Sequence, residues 1–421
     1  MLFTFLVGIL LARKLGTENF GRYTLVMSII SILLIPSQSG LSSLVVREVS
    51  KLKALGRLSL LTGLVRWSRL FNAKVSISLL ILSTLIVLMN GKLNFLSPNI
   101  MSNYSTLVFL GLLCLPLLGR LAIDSALIRG NGNVIFGQSL DSLLYPVTFF
   151  FILFFTSFIL DGEMTSEVAM AARLVTILLV VVIASIYIEK KLGVIHYYRA
   201  TNSEKLIWKN NLIPLALADG IRVFHSHFLT IALGAIVVLS DVAIFRVASS
   251  LLLLINLPLN VVSSIASPDI SKLFSLNEYD KLETKLRYYT IIMMVPMLVG
   301  ILFIILFGDF LILISFGSDY LGAKIPLLIM SCATCFSLVF GLGDVLLNMT
   351  GHSKIVLKSS IISLACMLVF SWPMIKYFGV NGAASLFAFS WLLFRFQLFI
   401  AGKRIYKFNI SLLQTSATRH C

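Results

Sequence analysis

Charged residues inside long apolar stretches are the most informative side chains of this sequence, because a charge that faces lipid costs at least about 2.5 kcal/mol. Arg120 and Asp124 are four residues apart and therefore share one face of a helix. Asp219, Arg222 and His225 follow at steps of three and predict a second polar stripe. For both sets the spacing fits two interpretations, a ligand site and an internal ion pair.

The charges inside the apolar stretches are more often basic than acidic. Arginine occurs five times there and aspartate three times, as Arg120, Arg173, Arg222, Arg246 and Arg395 against Asp124, Asp219 and Asp344. A basic interior attracts an anion, and the arginine fork fits the oxygens of a phosphate. The balance favours a phosphorylated or otherwise acidic ligand over a cation.

Twelve apolar segments must position these residues. The chain has 421 residues, of which 58% are hydrophobic and 12% charged, which excludes a soluble enzyme and a secreted disulfide scaffold. The runs are too long and too uniformly apolar for barrel strands, so the sequence predicts an all-α polytopic membrane protein with about twelve transmembrane helices. The segments are 1–11, 23–46, 72–89, 105–128, 139–160, 169–188, 211–238, 242–265, 288–307, 324–349, 355–376 and 380–401.

The second half of the chain resembles the first at an offset of 222 positions. Small, apolar and aromatic residues then align, and Gly132 falls close to the position of Gly351. This repeat predicts two six-helix lobes, residues 1–200 and residues 201–421. The first segment has only eleven residues and lacks the counterpart of Leu212–Arg222, so we expect the true start of the protein to lie upstream.

The net charge of +16 could indicate nucleic acid binding or basic loops on one side of a membrane, and we favour the loops because Lys and Arg are concentrated between the apolar segments. This interpretation counts Arg66 and Arg69 among the loop charges. The positive-inside rule then places both termini in the cytoplasm. The sequence has no P-loop motif, and Cys332-x-x-Cys335 has no second ligand pair, so we expect no cofactor, no metal site and no enzyme activity.

Four strings of the sequence form recognisable motifs. Near the amino terminus they comprise Ala12, Arg13, Leu15, Gly16, Phe20, Gly21 and Tyr23, followed by the "REV" of Arg47-Glu48-Val49. Later in the chain they are "SPDISKLF" at Ser267–Phe274 and "SFGSDYLGA" at Ser315–Ala323. Together these strings resemble the polysaccharide-transporter family, the O-antigen or lipid-linked oligosaccharide flippases of the multidrug/oligosaccharidyl-lipid/polysaccharide exporter superfamily.

The resemblance implies two lobes around a central cavity in the bacterial inner membrane. The implied substrate is an undecaprenyl-diphosphate-linked oligosaccharide moved to the periplasmic leaflet by alternating access. Arg13 and Arg47, by motif position, and Arg120 and Arg222, by their place in apolar segments, are the predicted contacts of the diphosphate. Membrane lipids, a polysaccharide polymerase and a chain-length regulator are the implied partners.

Asp124, Asp219 and His225 are the candidates for coupling or gating, since an unperturbed histidine titrates near pH 6.5. Two alternatives remain at this point: a multidrug or cation antiporter of the same superfamily and a membrane-embedded polysaccharide polymerase. The first requires a net acidic pocket, and the second requires catalytic groups on a long outer loop.

Overall fold

The computed structural model describes residues 2–93, 105–159, 164–192 and 201–406 of the chain. Nearly all of these residues are helical, and no strand occurs within these ranges. They divide into two compact units, and the division falls between Ile231 and Ala232. The all-α prediction is therefore confirmed. The division between the units falls inside a helix, and the lobe boundary at residues 200–201 stays a prediction.

The first unit is built from long helices joined by short turns. In chain order they are α1 (Leu2–Leu33), α2 (Ile35–Gln38), α3 (Leu41–Ala54), α4 (Leu58–Leu93), α5 (Ser105–Gly130), α6 (Val134–Ser139), α7 (Tyr145–Ile159), α8 (Ser166–Leu192) and most of α9 (Asn202–Ile236). A π-helical turn at Leu140–Leu144 makes α6 and α7 continuous. The core of the first unit is formed by buried side chains from α3, α4, α5, α8 and α9, among them Leu44, Leu64, Leu127, Ala184 and Leu212.

The second unit follows the same plan. Its helices are α10 (Leu239–Ile255), α11 (Leu257–Ser275), α12 (Tyr279–Ser315), α13 (Lys324–Ser337), α14 (Gly343–Met349) and α15 (Ser353–Tyr406), with 3₁₀ turns at Ser318–Ala323 and Leu338–Phe340. Its core joins α11, α12, α13 and α14 through Ile270, Met293, Cys335 and Leu346.

The predicted segments all fall on these helices within the described ranges. Six helical stretches are long and apolar enough to cross a bilayer, or up to eight when each of two bent pairs is taken as one span. The helix α15 contains two predicted segments, 355–376 and 380–401. Its backbone leaves helical geometry between them, at Gly379, where φ is 54°. The chain is a multi-pass membrane protein.

Breaks in the helices recur at the predicted repeat offset. The helices bend by 43° at Leu34 and by 45° at Asn256, which are 222 positions apart. Gly132 and Gly351 both have positive φ, 102° and 85°, just after helix ends. A helical break is set by local backbone conformation, so its recurrence supports an internal repeat more strongly than matching apolar residues do.

Candidate functional site

Asp124 on α5 is the centre of a charged cluster in the first unit. Its carboxylate is fully buried. Its Oδ1 accepts hydrogen bonds from Arg69 Nε at 2.9 Å and Arg69 Nη2 at 2.7 Å, and its Oδ2 accepts one from Arg120 Nε at 2.8 Å. The predicted ion-pair interpretation of Arg120 and Asp124 is confirmed. Two guanidinium groups share this carboxylate, so the three side chains Arg69, Arg120 and Asp124 together carry a net charge of about +1.

Arg69 was assigned to a loop by sequence, and that assignment is wrong. The helix α4 begins at Leu58, well before the predicted segment start at residue 72, and it carries Arg69 directly to Asp124. The signal was present in the sequence as a helical spacing of residues that become buried, Leu61, Leu64, Ser68, Asn72 and Ser76. A search for apolar runs misses this stripe because polar residues share it.

Asp219 on α9 binds the start of α3. Its Oδ2 accepts a hydrogen bond from the backbone N–H of Gly40 at 3.1 Å and lies 3.4 Å from Ser43 Oγ. Its Oδ1 accepts a hydrogen bond from Arg222 Nη2 at 3.0 Å. Gly40 precedes the first residue of α3, so the carboxylate lies where the helix dipole favours negative charge. Asp219 therefore has a structural role in addition to the predicted coupling role.

Gly40 allows α9 to approach α3 this closely. Its φ is 71°, and a Cβ there would lie 2.3 Å from the backbone nitrogen of Ala216. Only glycine fits that space and adopts that conformation without strain. The sequence alone did not identify this contact, because the two residues lie far apart along the chain.

Arg47 and Arg222 lie on the two helices that meet at this point. Arg222 has a side chain 79% exposed in spite of its pair with Asp219. Arg47 is 53% exposed and binds Glu48 at 3.0 Å. Both guanidinium groups thus keep a large accessible surface, which a side chain needs in order to contact a ligand.

The other predicted site residues lie elsewhere in the first unit. Arg13 is exposed on α1, three residues before the backbone break at Gly16. His225 is half-buried on α9, and the neighbouring His227 places its Nδ1 3.4 Å from Ser28 Oγ. The structure therefore assembles Arg120 with Asp124, and Asp219 with Arg222.

The second unit holds a charged pair at the repeat positions. Arg395 on α15 is only 2% exposed, donates to Asp344 on α14 and lies 5.3 Å from the centre of the Trp391 ring. Asp344 and Asp124 are 220 positions apart, close to the repeat offset. In this unit one carboxylate neutralises one arginine.

The described residues contain no group of three or more His, Cys, Asp or Glu side chains that could hold a metal ion. Cys332 is exposed and Cys335 is buried, although they are three residues apart on α13. The charged groups of the candidate site are thus arginine and aspartate pairs, which suit binding and charge compensation.

Comparison of the sequence with known proteins gives a partial match. No protein-family model matches the chain. The chain is similar to the capsular polysaccharide biosynthesis protein CapF of Staphylococcus aureus, with 26% identity over 219 residues. That match covers 48% of this chain and 54% of CapF, so it spans about half the length of that relative.

Solved structures match the chain along almost its whole length. A multidrug-resistance MATE family transporter of the MOP superfamily, in an inward-facing conformation, has a TM-score of 0.79 and 14% identity, covering 96% of this chain and 93% of its own. The lipid II flippase MurJ has a TM-score of 0.75 and 14% identity, covering 96% and 85%. The MATE transporter VcmN of Vibrio cholerae has a TM-score of 0.57 and 15% identity, covering 96% and 97%. The chain therefore has the two-lobed fold of MATE and MurJ proteins.

Proposed function

We propose that this chain is a flippase that moves an undecaprenyl-diphosphate-linked oligosaccharide from the cytoplasmic to the periplasmic leaflet by alternating access. The observation that carries the proposal is the excess of arginine over carboxylate in the first unit, where Arg69 and Arg120 share Asp124. A diphosphate supplies the negative charge that such a site lacks. The likeness to a lipid II flippase and to a capsular polysaccharide protein supports the same class of substrate.

The arginines divide into two groups according to their exposure. Arg47 and Arg222 are the most exposed arginines of the described ion pairs, so we assign them to direct contact with the diphosphate. Arg120 keeps one guanidinium edge on Asp124 and contributes the local positive field. Arg13, exposed on α1, is assigned to the approach of the substrate, by its motif position. A lysine cannot replace the planar fork, so Arg→Lys variants keep only part of the function.

Coupling is assigned to Asp124, Asp219 and His225. Asp219 joins α9 to the start of α3, so a change in its charge would alter the contact between these helices. His225 lies six residues along α9 from that carboxylate, and the ordinary titration range of histidine includes physiological pH. Transport by His225→Gln that keeps the wild-type pH profile would remove histidine from this role.

The proposed flippase lies in the bacterial inner membrane with both termini in the cytoplasm. The concentration of Lys and Arg in loops on one side of the predicted topology supports this orientation. A polysaccharide polymerase and a chain-length regulator are the proposed functional partners, because they would use the exported repeat unit. The protein itself would act as a transporter and not as an enzyme.

The test is genetic. Deleting the gene should cause lipid-linked oligosaccharide to accumulate on the cytoplasmic leaflet and surface polysaccharide to disappear, and the wild-type gene should restore export. Complementation by Arg47→Ala and Arg222→Ala should fail at normal protein level, whereas Arg57→Ala, which changes an exposed arginine in the turn before α4, should restore export. Normal surface polysaccharide in the deletion strain, with no second flippase present, would refute the proposal.

A second candidate is export of cationic drugs, because the fold matches a multidrug transporter at a TM-score of 0.79. A cation site needs a net negative pocket, and the Asp124 cluster is net positive. Drug susceptibility of the deletion strain separates the two functions. Increased sensitivity to organic cations with intact polysaccharide would favour the antiporter.

A further inference from the structure

Asp141 lies inside an apolar stretch, but within the described residues no arginine or lysine forms an ion pair with it. The aspartates that do bind an arginine inside such stretches are Asp124, Asp219 and Asp344. Asp141 belongs to the π-helical turn at Leu140–Leu144, and turns of this kind are frequent at functional sites. Its Oδ2 contacts Ser125 Oγ on α5 at 2.6 Å.

Gly137 brings α6 close enough to α5 for this contact. A Cβ at Gly137 would lie 2.8 Å from the backbone oxygen of Ser125, so a larger residue would push the two helices apart. The carbonyl oxygen of Gly137 also contacts Ser125 Oγ, at 2.7 Å. The serine hydroxyl therefore has two short contacts, one to a carbonyl oxygen and one to a carboxyl oxygen.

The number of protons decides the state of the carboxyl group. A serine hydroxyl carries one proton, and a backbone carbonyl oxygen can only accept. If Asp141 were ionised, one of the two contacts would join two oxygens with no proton between them. Both contacts are hydrogen bonds of ordinary length when Ser125 donates to Gly137 and the protonated carboxyl of Asp141 donates to Ser125.

The position of Asp141 favours the same state. Asp141 is exposed, seven residues into the apolar stretch Val134–Ile159, which is long and apolar enough to cross a bilayer. Ile135 and Leu143, on the same stretch, are exposed as well. A charge on such a surface is costly, and a bound proton removes it. The exposure of the carboxyl group also allows the proton to exchange.

The charged and titratable neighbours of Asp141 lie on α5 and α8, the helices that pack against the π-helical turn. On α5, Arg129 is the cation that acts on Asp141, but its Nη1 donates to Gln138 Oε1 at 3.3 Å. On α8, Arg173 lies beside the residue that follows the turn, and Tyr187 packs against α6. None of these groups forms an ion pair with the Asp141 carboxyl in the described part of the chain.

We propose that Asp141 is a proton-binding site of the first unit, and that its bound proton joins the π-helical turn to α5 through Ser125. Loss of this proton leaves the hydroxyl of Ser125 with one proton and two acceptors, so one of its two contacts must break. Binding and release of a proton therefore make and break a connection between neighbouring helices. The proposal does not depend on the transported substrate, because the proton can be detected without transport.

Infrared difference spectroscopy of the purified full-length protein in lipid vesicles tests this site. A protonated carboxylic acid has a carbonyl band that a carboxylate lacks, and an ordinary aspartate, which titrates near pH 4, has no such band at pH 7. The difference between wild type and Asp141→Asn at pH 7 should contain this band, and raising the pH should remove the band from wild type. Asp319→Asn, which removes an exposed carboxylate, is the matched control and should leave the band unchanged.

Ser125→Ala tests the partner and does not depend on the folding of Asp141→Asn. It keeps the carboxyl group and removes the acceptor of its proton, so it should change the frequency or the intensity of the band. A wild-type spectrum without a carboxylic acid band at pH 7 would overturn the proposal. A band that persists in Asp141→Asn, or that Ser125→Ala leaves unchanged, would overturn it as well.

Discussion

Replacing Asp124 with asparagine should destabilise the first unit, because it removes the carboxylate that Arg69 and Arg120 share. Asp124 accepts three hydrogen bonds from these two side chains, at 2.7 to 2.9 Å. Breaking a buried ion pair by removing one partner costs about 3–5 kcal/mol, since the other charge stays buried. Arg69 and Arg120 keep 20% and 32% of their side-chain surface exposed, so water offsets part of the loss. We expect a cost near the lower limit, about 3 kcal/mol.

Thermal unfolding of the purified protein in detergent measures this effect. Trp67 on α4 packs against Trp208 on α9, with ring centres 5.4 Å apart, and Trp372 and Trp391 lie in the second unit. Tryptophan fluorescence therefore reports the unfolding of both units. A loss of about 3 kcal/mol corresponds to a fall of roughly 6–12 °C in melting temperature for a unit of this size. Asp319→Asn is the matched control, because it removes an exposed carboxylate and should change the melting temperature by about 1 °C or less.

The two arginines should respond differently. Arg69 makes two of the three hydrogen bonds, so Arg69→Gln should cost more stability than Arg120→Gln, at about 2 and about 1 kcal/mol respectively. If Asp124→Asn melts within about 2 °C of wild type, the cluster does not hold α4 against α5 and the reasoning is wrong. Equal costs for the two arginine variants would contradict the unequal sharing of the carboxylate.

Three further substitutions test other contacts, each by the same melting assay. Gly40→Ala should prevent stable folding of the first unit, because its Cβ would lie 2.3 Å from Ala216 N at a φ of 71°; near-wild-type melting would show that α9 does not approach there. Gly16→Ala should cost about 1–3 kcal/mol, since the space around it is open but its φ of 69° and ψ of 174° strain any residue with a Cβ, and a larger cost would indicate a contact at that position. Asp344→Asn should cost about 3–5 kcal/mol, because Arg395 is only 2% exposed, and the double replacement by Leu at Asp344 and Met at Arg395 should recover most of the loss.

The membrane fold could be predicted from sequence because its main determinant is local. A bilayer requires about twenty apolar residues per span, so the apolar runs located the helices within the described ranges. The two bends at Leu34 and Asn256 were not predicted, but they lie at the offset of 222 that the sequence repeat gives. Helix ends were less accurate: α4 begins at Leu58, in a stretch whose polar residues had suggested a loop.

The candidate site could be predicted only where its contacts are local. Arg120 with Asp124, and Arg222 with Asp219, follow from helical spacing, and both pairs are present. The hydrogen bond from Gly40 to Asp219 joins residues 179 positions apart, and the bond from Arg69 to Asp124 spans 55. No local spacing encodes such pairs, since they depend on which helices pack together.

The two units differ in how their arginine and aspartate side chains are paired. A duplicated helix bundle would place an arginine and an aspartate at matching positions in both units, and the pair Arg395–Asp344 keeps that arrangement. In the first unit the aspartate at the matching position is bound by Arg69 and Arg120, so Arg173 depends on Tyr23 and two aromatic rings. The first unit therefore keeps more positive charge around its aspartate than the second unit does. The diphosphate of the proposed substrate would supply the negative charge that these side chains lack.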